Sequence, residues 1–165
     1  MKDKGKKKIL LVGFYGAPNL DDELMLETLL QYFPSFKDVD LTIMLSDNPV
    51  YDIGSYPAVN FIHYPKTRYD FNYLAQYFDT LVFGEGAIID DRFFDNNDSY
   101  KGELGTILIK LSERFIAWEK QIFCIGLSSI KKFSNTNYIN KLSLLIEKAD
   151  YFSVRDINSF NSLVN

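Results

Sequence analysis

The stretch from Lys8 to Leu30 constrains the fold more than any other part of the chain. Ile9, Leu10, Leu11 and Val12 form an unbroken apolar run, as expected of a strand covered on both faces. Residues 13–18 follow, with turn chemistry at Gly13, Gly16 and Pro18. Asn19 then offers a side-chain oxygen to open a helix, and Asp22, three residues on, suits a capping arrangement. A strand that feeds a helix through such a loop is the first unit of a parallel α/β sheet.

The rest of the chain repeats that alternation. Leu26, Leu29, Leu30 and Phe33 recur at helical spacing, so a helix is predicted over 20–32, ended by Pro34. Strands are predicted at 40–45, 59–63, 81–83, 121–125 and 151–154. Helices are predicted at 68–77, 103–118 and 135–147, and a last one opens at Asp156. The stripe for 103–118 is Leu104, Ile107, Leu108, Leu111, Phe115 and Trp118; that for 135–147 is Ile139, Leu142, Leu145 and Ile146. Residues 46–57 read as a loop, marked by Asp47-Asn48-Pro49 and Gly54, and 87–102 read as a long Asp- and Asn-rich loop. Six strands joined by right-handed crossovers give an α/β fold: a doubly wound, mostly parallel sheet with helices on both faces.

The 165 residues suit a single Rossmann-like domain over 1–165, with a basic tail at 1–8 carrying Lys2, Lys4, Lys6, Lys7 and Lys8. That tail reads as a solvated terminus or as a membrane-surface contact. A net charge of −4 argues against a nucleic-acid partner, which needs a basic face. Cys124, the one cysteine, lies in an apolar run and reads as a buried, inert thiol. No apolar stretch approaches the ~20 residues of a membrane span. Gly and Pro interrupt the first apolar run too early for a secretory signal, so the expected location is cytoplasmic. The abundant Tyr and Phe suit a core, or a surface that faces sugar or a partner.

In sheets of this kind ligands bind outside the carboxyl ends of the strands, where strand order reverses. Residues 13–23, 84–91, 126–131 and 155–156 fall at those ends. The first loop lacks the G-x-G-x-x-G of a dinucleotide site, and Asp21, Asp22 and Glu23 would compete with an anion at the helix start. Those acids either stabilise the helix alone or accept hydrogen bonds from sugar hydroxyls. Gly84-Glu85-Gly86 is either a tight turn with Glu85 solvated or a close backbone approach, with Glu85 as a general base or hydroxyl ligand. Gly126-Leu127-Ser128-Ser129, followed by Lys131 and Lys132, leaves N–H groups and hydroxyls for an anion unless it is a plain turn. Arg155 either pairs locally with Asp156, itself a helix cap with Ser159 at the third position, or holds a carboxylate or phosphate in the crevice. Asp90, Asp91, Asp95 and Asp98 lack the pattern of a calcium loop and read as solvated and mobile. His63, the only histidine, has no companion at metal-ligand spacing, so no metal is expected.

In chain order, these segments resemble the N-terminal half of the polysaccharide pyruvyl transferase family. Gly16-Ala17-Pro18-Asn19-Leu20-Asp21-Asp22-Glu23 looks like its G-x-x-N-x-G-D-E loop. Gly84-Glu85-Gly86 stands for a triple-glycine turn, and Gly126-Leu127-Ser128-Ser129-Ile130 for a Gly-rich, Pro-ended loop. Ser153-Val154-Arg155-Asp156, with Ser159 and Leu163, looks like S-V-R-D-x-x-S-x-x-x-L. Asp21 and Glu85 stand where the family has glycine, Ala87 where it has Ser, and Lys131 near its proline.

The resemblance implies one Rossmann-like half of a two-domain enzyme of glycosyltransferase-B type. A second domain would lie beyond residue 165 or be absent, its part then falling to another copy of the chain. Such an enzyme transfers pyruvyl from phosphoenolpyruvate to two hydroxyls of a sugar in a cell-wall or exopolysaccharide precursor, forming a ketal and releasing phosphate. It needs no cofactor besides that donor substrate, and a lipid-linked acceptor would bring it to the membrane periphery. The implied substrate contacts are Gly16, Asn19, Asp22 and Glu23 in the first loop, and Gly84, Glu85 and Gly86 in the second. Gly126 and Ser128 belong to the third loop and Arg155 to the last, with Arg155 on the donor and Asn19, Asp22 and Glu85 towards the acceptor or domain cleft. The rival readings are half of a sugar-nucleotide glycosyltransferase and a catalytically degenerate binding domain, the latter prompted by Asp21 and Glu85.

Overall fold

The computed structural model describes residues 5–16, 19–32, 37–45, 59–92, 94, 104–129 and 133–164. Its elements, in order, are β1 (Lys7–Val12), α1 (Leu20–Tyr32), β2 (Val39–Leu45), β3 (Val59–His63), α2 (Arg68–Tyr77), β4 (Thr80–Phe83), β5 (Gly86–Ile89), α3 (Leu104–Ala117), β6 (Gln121–Ser129), α4 (Thr136–Lys148), β7 (Tyr151–Val154) and α5 (Ile157–Val164). The predicted bounds of α1, β3, α2 and β7 coincide with these. Outside the described residues lie the loop read at 46–57, Lys2 and Lys4, Phe33 and Pro34, Asp95 and Asp98, Lys131 and Lys132. β1 starts at Lys7, so two of the lysines read as tail belong to the sheet. Lys8 donates its backbone N–H to Asp79 and sets its ammonium over the Tyr77 ring.

The sheet has seven strands in the order β3-β2-β1-β4-β6, and every pairing is parallel. β7 pairs with one side of β6. The other side is shared along its length, with β4 against Gln121–Cys124 and β5 against Leu127 and Ser129. The chain runs outward from β1 to β3, then crosses back to β4, so strand order reverses between β1 and β4. Alternation along β1 sends Leu10 and Val12 to a core shared with α2, α3 and α4, while Leu11 and Ile9 meet Leu26 and Leu30 of α1 on the opposite face. The fold is the doubly wound parallel α/β sheet expected.

Two stretches predicted as loops are strand in part. The stretch read as a loop from residue 87 begins with β5, and the loop read from Gly126 is a continuation of β6 as far as Ser129. Gly86 and Gly126 take φ of +137° and +63°, and the pairing register of β6 with β7 shifts between Cys124 and Leu127. A glycine in this conformation bends a strand at a bulge without ending it. At Gly126 a Cβ would stand 2.8 Å from Glu85 Cγ, so the bulge also makes room for that side chain.

Three burial expectations need correction. Trp118 is half exposed, one residue past the end of α3. In α4 the buried face is Tyr138, Leu142 and Leu145, leaving Ile139 and Ile146 exposed. Asp91, read as solvated, is buried: its Oδ2 accepts from Ser134 N at 2.6 Å, Asn135 N at 2.7 Å and Ser134 Oγ at 3.3 Å. Cys124 is fully buried, as expected, and burial pushes its thiol up to about 12.

Candidate functional site at the strand-order reversal

Gly84 N donates to Val12 O at 2.8 Å, tying β4 to β1 at the reversal. Tyr15 is wholly buried there, and a Cβ at Gly13 would lie 2.4 Å from its ring, one at Gly84 2.0 Å from its hydroxyl. The close approach foreseen at Gly84 is therefore to Tyr15. No described residue hydrogen-bonds the Tyr15 hydroxyl. Burial, then the negative charges of Asp22 and Glu85, push its pKa far up, so it stays neutral.

Beside this post a cavity of about 460 Å³ opens at the carboxyl ends of the strands. Asn19, Asp21 and Asp22 of the first unit line it, together with Arg155 from the turn after β7. Ala87 of β5, Asp90, Arg92 and the start of α3 complete the wall. A Cβ at Gly105 would stand 2.0 Å from Asp90 O, so the end of β5 and the first turn of α3 meet backbone to backbone.

Asp22 sits deepest. It is 5% exposed, and its Oδ2 accepts from the Asn19 amide nitrogen. The capping expected of Asn19 through its oxygen is thus replaced by donation to the carboxylate, the stronger acceptor. Asp22 Oδ1 accepts no hydrogen bond among the described residues; a Cβ at Gly86 would be 3.3 Å from it. Burial raises the pKa of Asp22 and the like charge of Asp21 adds to this, against the Asn19 hydrogen bond and the Arg155 charge. Glu23 is also raised by burial, although its carboxylate accepts from the Gly16 N–H.

Arg155 is half exposed and is held at the rim by its backbone N–H, which donates to Leu127 O at 2.9 Å. Its Nε stands 3.9 Å from Asp156 Oδ2, so it both pairs locally and faces the cavity. Asp156 caps α5 through Ser159 N at 2.8 Å, as the sequence suggested. Arg92 grips Asp90 in a fork, with Nη2 at 2.6 Å and Nε at 2.9 Å from Oδ2.

The structure therefore gathers Asn19, Asp22 and Arg155 around one cavity but sets Glu85 apart from it. Glu85 lines a second, apolar cavity of about 490 Å³ on the α1 face, with Leu11, Leu24, Val82 and Ile125. Ser128 is buried, and the N–H groups around it are engaged: Gly126 N donates to Ser153 Oγ and Ser129 N to Ser159 Oγ, each at 3.0 Å. Arg92 and Thr106 were missed as cavity residues, and Asp90, read as solvated, lines the cavity with its side chain 15% exposed. The short apolar run Gly86–Ile89 was the available signal, because it places Asp90 at a strand end. Among the described residues no group of His, Cys, Asp and Glu forms a metal cluster. No described helix is long and apolar enough to cross a membrane.

The fold and the site define a doubly wound α/β domain with a polar cleft at its strand-order reversal. Residues 22–165 match the sequence pattern of the polysaccharide pyruvyl transferase family, and the chain belongs to that family. No curated protein sequence matches it.

Proposed function

We propose that this domain helps to move a pyruvyl group from phosphoenolpyruvate to two hydroxyls of a sugar in a cell-surface polysaccharide precursor, giving a cyclic ketal and phosphate. The observation that carries the reading, beside family membership, is the cavity that brings Arg155 together with Asn19 and Asp22. A guanidinium fork suits the donor's carboxylate or phosphate. Carboxylates and an amide suit the hydroxyls of an acceptor, because they accept hydrogen bonds that a sugar must otherwise make to water. Gly16 and Glu23 support the α1 end, and Gly86 keeps the wall beside Asp22 open.

Among the described residues, Arg155 at the cavity, with Arg92 already committed to Asp90, is little cationic charge for a donor with both a carboxylate and a phosphate. The remaining charge would come from a second domain or another copy of the chain closing over the cleft. Transfer would take place on the cytoplasmic side, with a lipid-linked acceptor bringing the protein to the membrane surface.

The test is calorimetric titration of the full-length protein with phosphoenolpyruvate. Binding is expected, weakened at least tenfold in Arg155→Ala. Equal affinity in both proteins would remove Arg155 from the donor site, and no binding to the wild type would remove the donor.

A further inference from the structure

Pyruvyl transfer needs a group that moves protons at the reacting carbon, and the described residues leave one placed for it. We propose that Asp22 is that group, taking a proton from a sugar hydroxyl and giving one to the methylene carbon of the donor. This rests on the transfer reading above.

Asp90 is held by Arg92, and Asp91 is spent on the start of α4. Glu85 faces the other cavity. His63 ends β3, two strands away from the reversal. Asp21 also lines the cavity but is exposed to solvent, with nothing described that fixes its carboxylate. Glu23 also keeps a buried, unpartnered Oε1 but does not line the cavity; of the described carboxylates that do, Asp22 alone combines burial, a fixed orientation and an open oxygen. The Asn19 amide fixes Oδ2, while Oδ1 lies on the side of Gly86 and the cavity. A side chain at position 86 would cover that oxygen.

The chemistry balances with one carboxyl group. Protonated Asp22 gives its proton to the methylene carbon, so the C2=C3 double bond becomes a methyl group and C2 becomes electron-deficient. The first hydroxyl oxygen bonds to C2, and its proton returns to Asp22. The bond from C2 to the phosphate oxygen then breaks as the second hydroxyl oxygen bonds to C2, and the second proton leaves on the phosphate. Nothing is oxidised or reduced, and Asp22 ends as it began.

The cycle starts from the neutral acid, and burial favours that form in Asp22. The charged and titratable groups around it are Asp21 and Glu23 on α1, Tyr15 beneath, Arg155 after β7, and the Asp90–Arg92 pair at the end of β5. Against burial, the Asn19 hydrogen bond and then the Arg155 charge lower its pKa.

The experiment uses the full-length protein with phosphoenolpyruvate and methyl glycosides of the common hexoses, read as phosphate release. Asp22→Asn is expected to keep phosphoenolpyruvate affinity within threefold and to lower turnover at least a hundredfold, the usual scale for losing an acid–base group. Asp22→Glu is expected to recover part of the rate. The wild-type rate is expected to fall as rising pH ionises Asp22, a limb absent from the residual rate of Asp22→Asn. Turnover in Asp22→Asn within fivefold of wild type, or an unchanged pH limb, overturns the assignment while the transfer reading stands. A wild-type protein that releases no phosphate with any of these acceptors overturns the transfer reading, and the role of Asp22 with it.

Discussion

Two buried aspartates, one just after β5 and one in the first turn of α1, are treated in opposite ways. Asp91 follows β5 and is 7% exposed; Asp22 lies in the first turn of α1 and is 5% exposed. Asp91 spends one oxygen on two backbone N–H groups and a hydroxyl at the start of α4, fastening that helix to the sheet. Asp22 has a single amide partner, and its second oxygen faces a cavity. Equal burial therefore does not mean equal purpose. A buried carboxylate that accepts three hydrogen bonds from one helix start is part of the frame, whereas one with a single amide partner, facing a cavity at the reversal of strand order, is available to a ligand.

The comparison breaks most readily at Asp91. Asp91→Ala leaves Ser134 and Asn135 N–H groups without their acceptor, and should cost about 3 kcal/mol in urea denaturation. A loss below about 1 kcal/mol would make Asp91 as dispensable to the frame as Asp22. Next in size is Gly84→Ala, whose Cβ would meet the Tyr15 hydroxyl at 2.0 Å and should cost about 2 kcal/mol. Tyr15→Phe removes an unpartnered hydroxyl, so alone it should be neutral, and combined with Gly84→Ala it should recover most of that loss. Additive losses in the double variant would show that Tyr15 is not what the glycine accommodates.

The smallest effect sharpens the contrast. The folded protein holds the Asp22 proton more tightly than the unfolded chain does, so ionising Asp22 destabilises the fold. Stability then falls as pH rises from the ordinary carboxylate range through the higher folded value. Asp22→Asn has no charge to bury, so it should be more stable than wild type near pH 7 by less than about 1 kcal/mol, the open cavity screening the charge. Thermal melts should show the advantage vanish below the ordinary carboxylate range; an Asp22→Asn protein less stable than wild type at pH 7 would contradict the half-satisfied state of Asp22.

Much of this was legible in the chain. Helical and apolar spacing located α1, α2 and β3 at their observed bounds. The four strand ends pointed to Asn19, Asp22 and Arg155, which do share a cavity. What failed, failed at glycines and at buried polar groups. Gly126 reads locally as a stop, but β7 and β5 keep β6 paired beyond it. Glu85 lies between Gly84 and Gly86, which the sequence reading also placed at the site, yet its side chain packs against Gly126 and lines the cavity on the α1 face.

The sequence by itself determined the succession of strands and helices, because spacing of apolar residues is a local property. With the right-handed crossover rule it also determined which loops gather at one rim. Only the tertiary structure decided which acid is sealed into the frame and which is left open. The donors that fill Asp91 lie 43 and 44 residues along the chain, and the arginine facing Asp22 belongs to the last turn of the sheet. Hydrogen-bond satisfaction depends on partners brought together by the whole fold, and no local pattern encodes it.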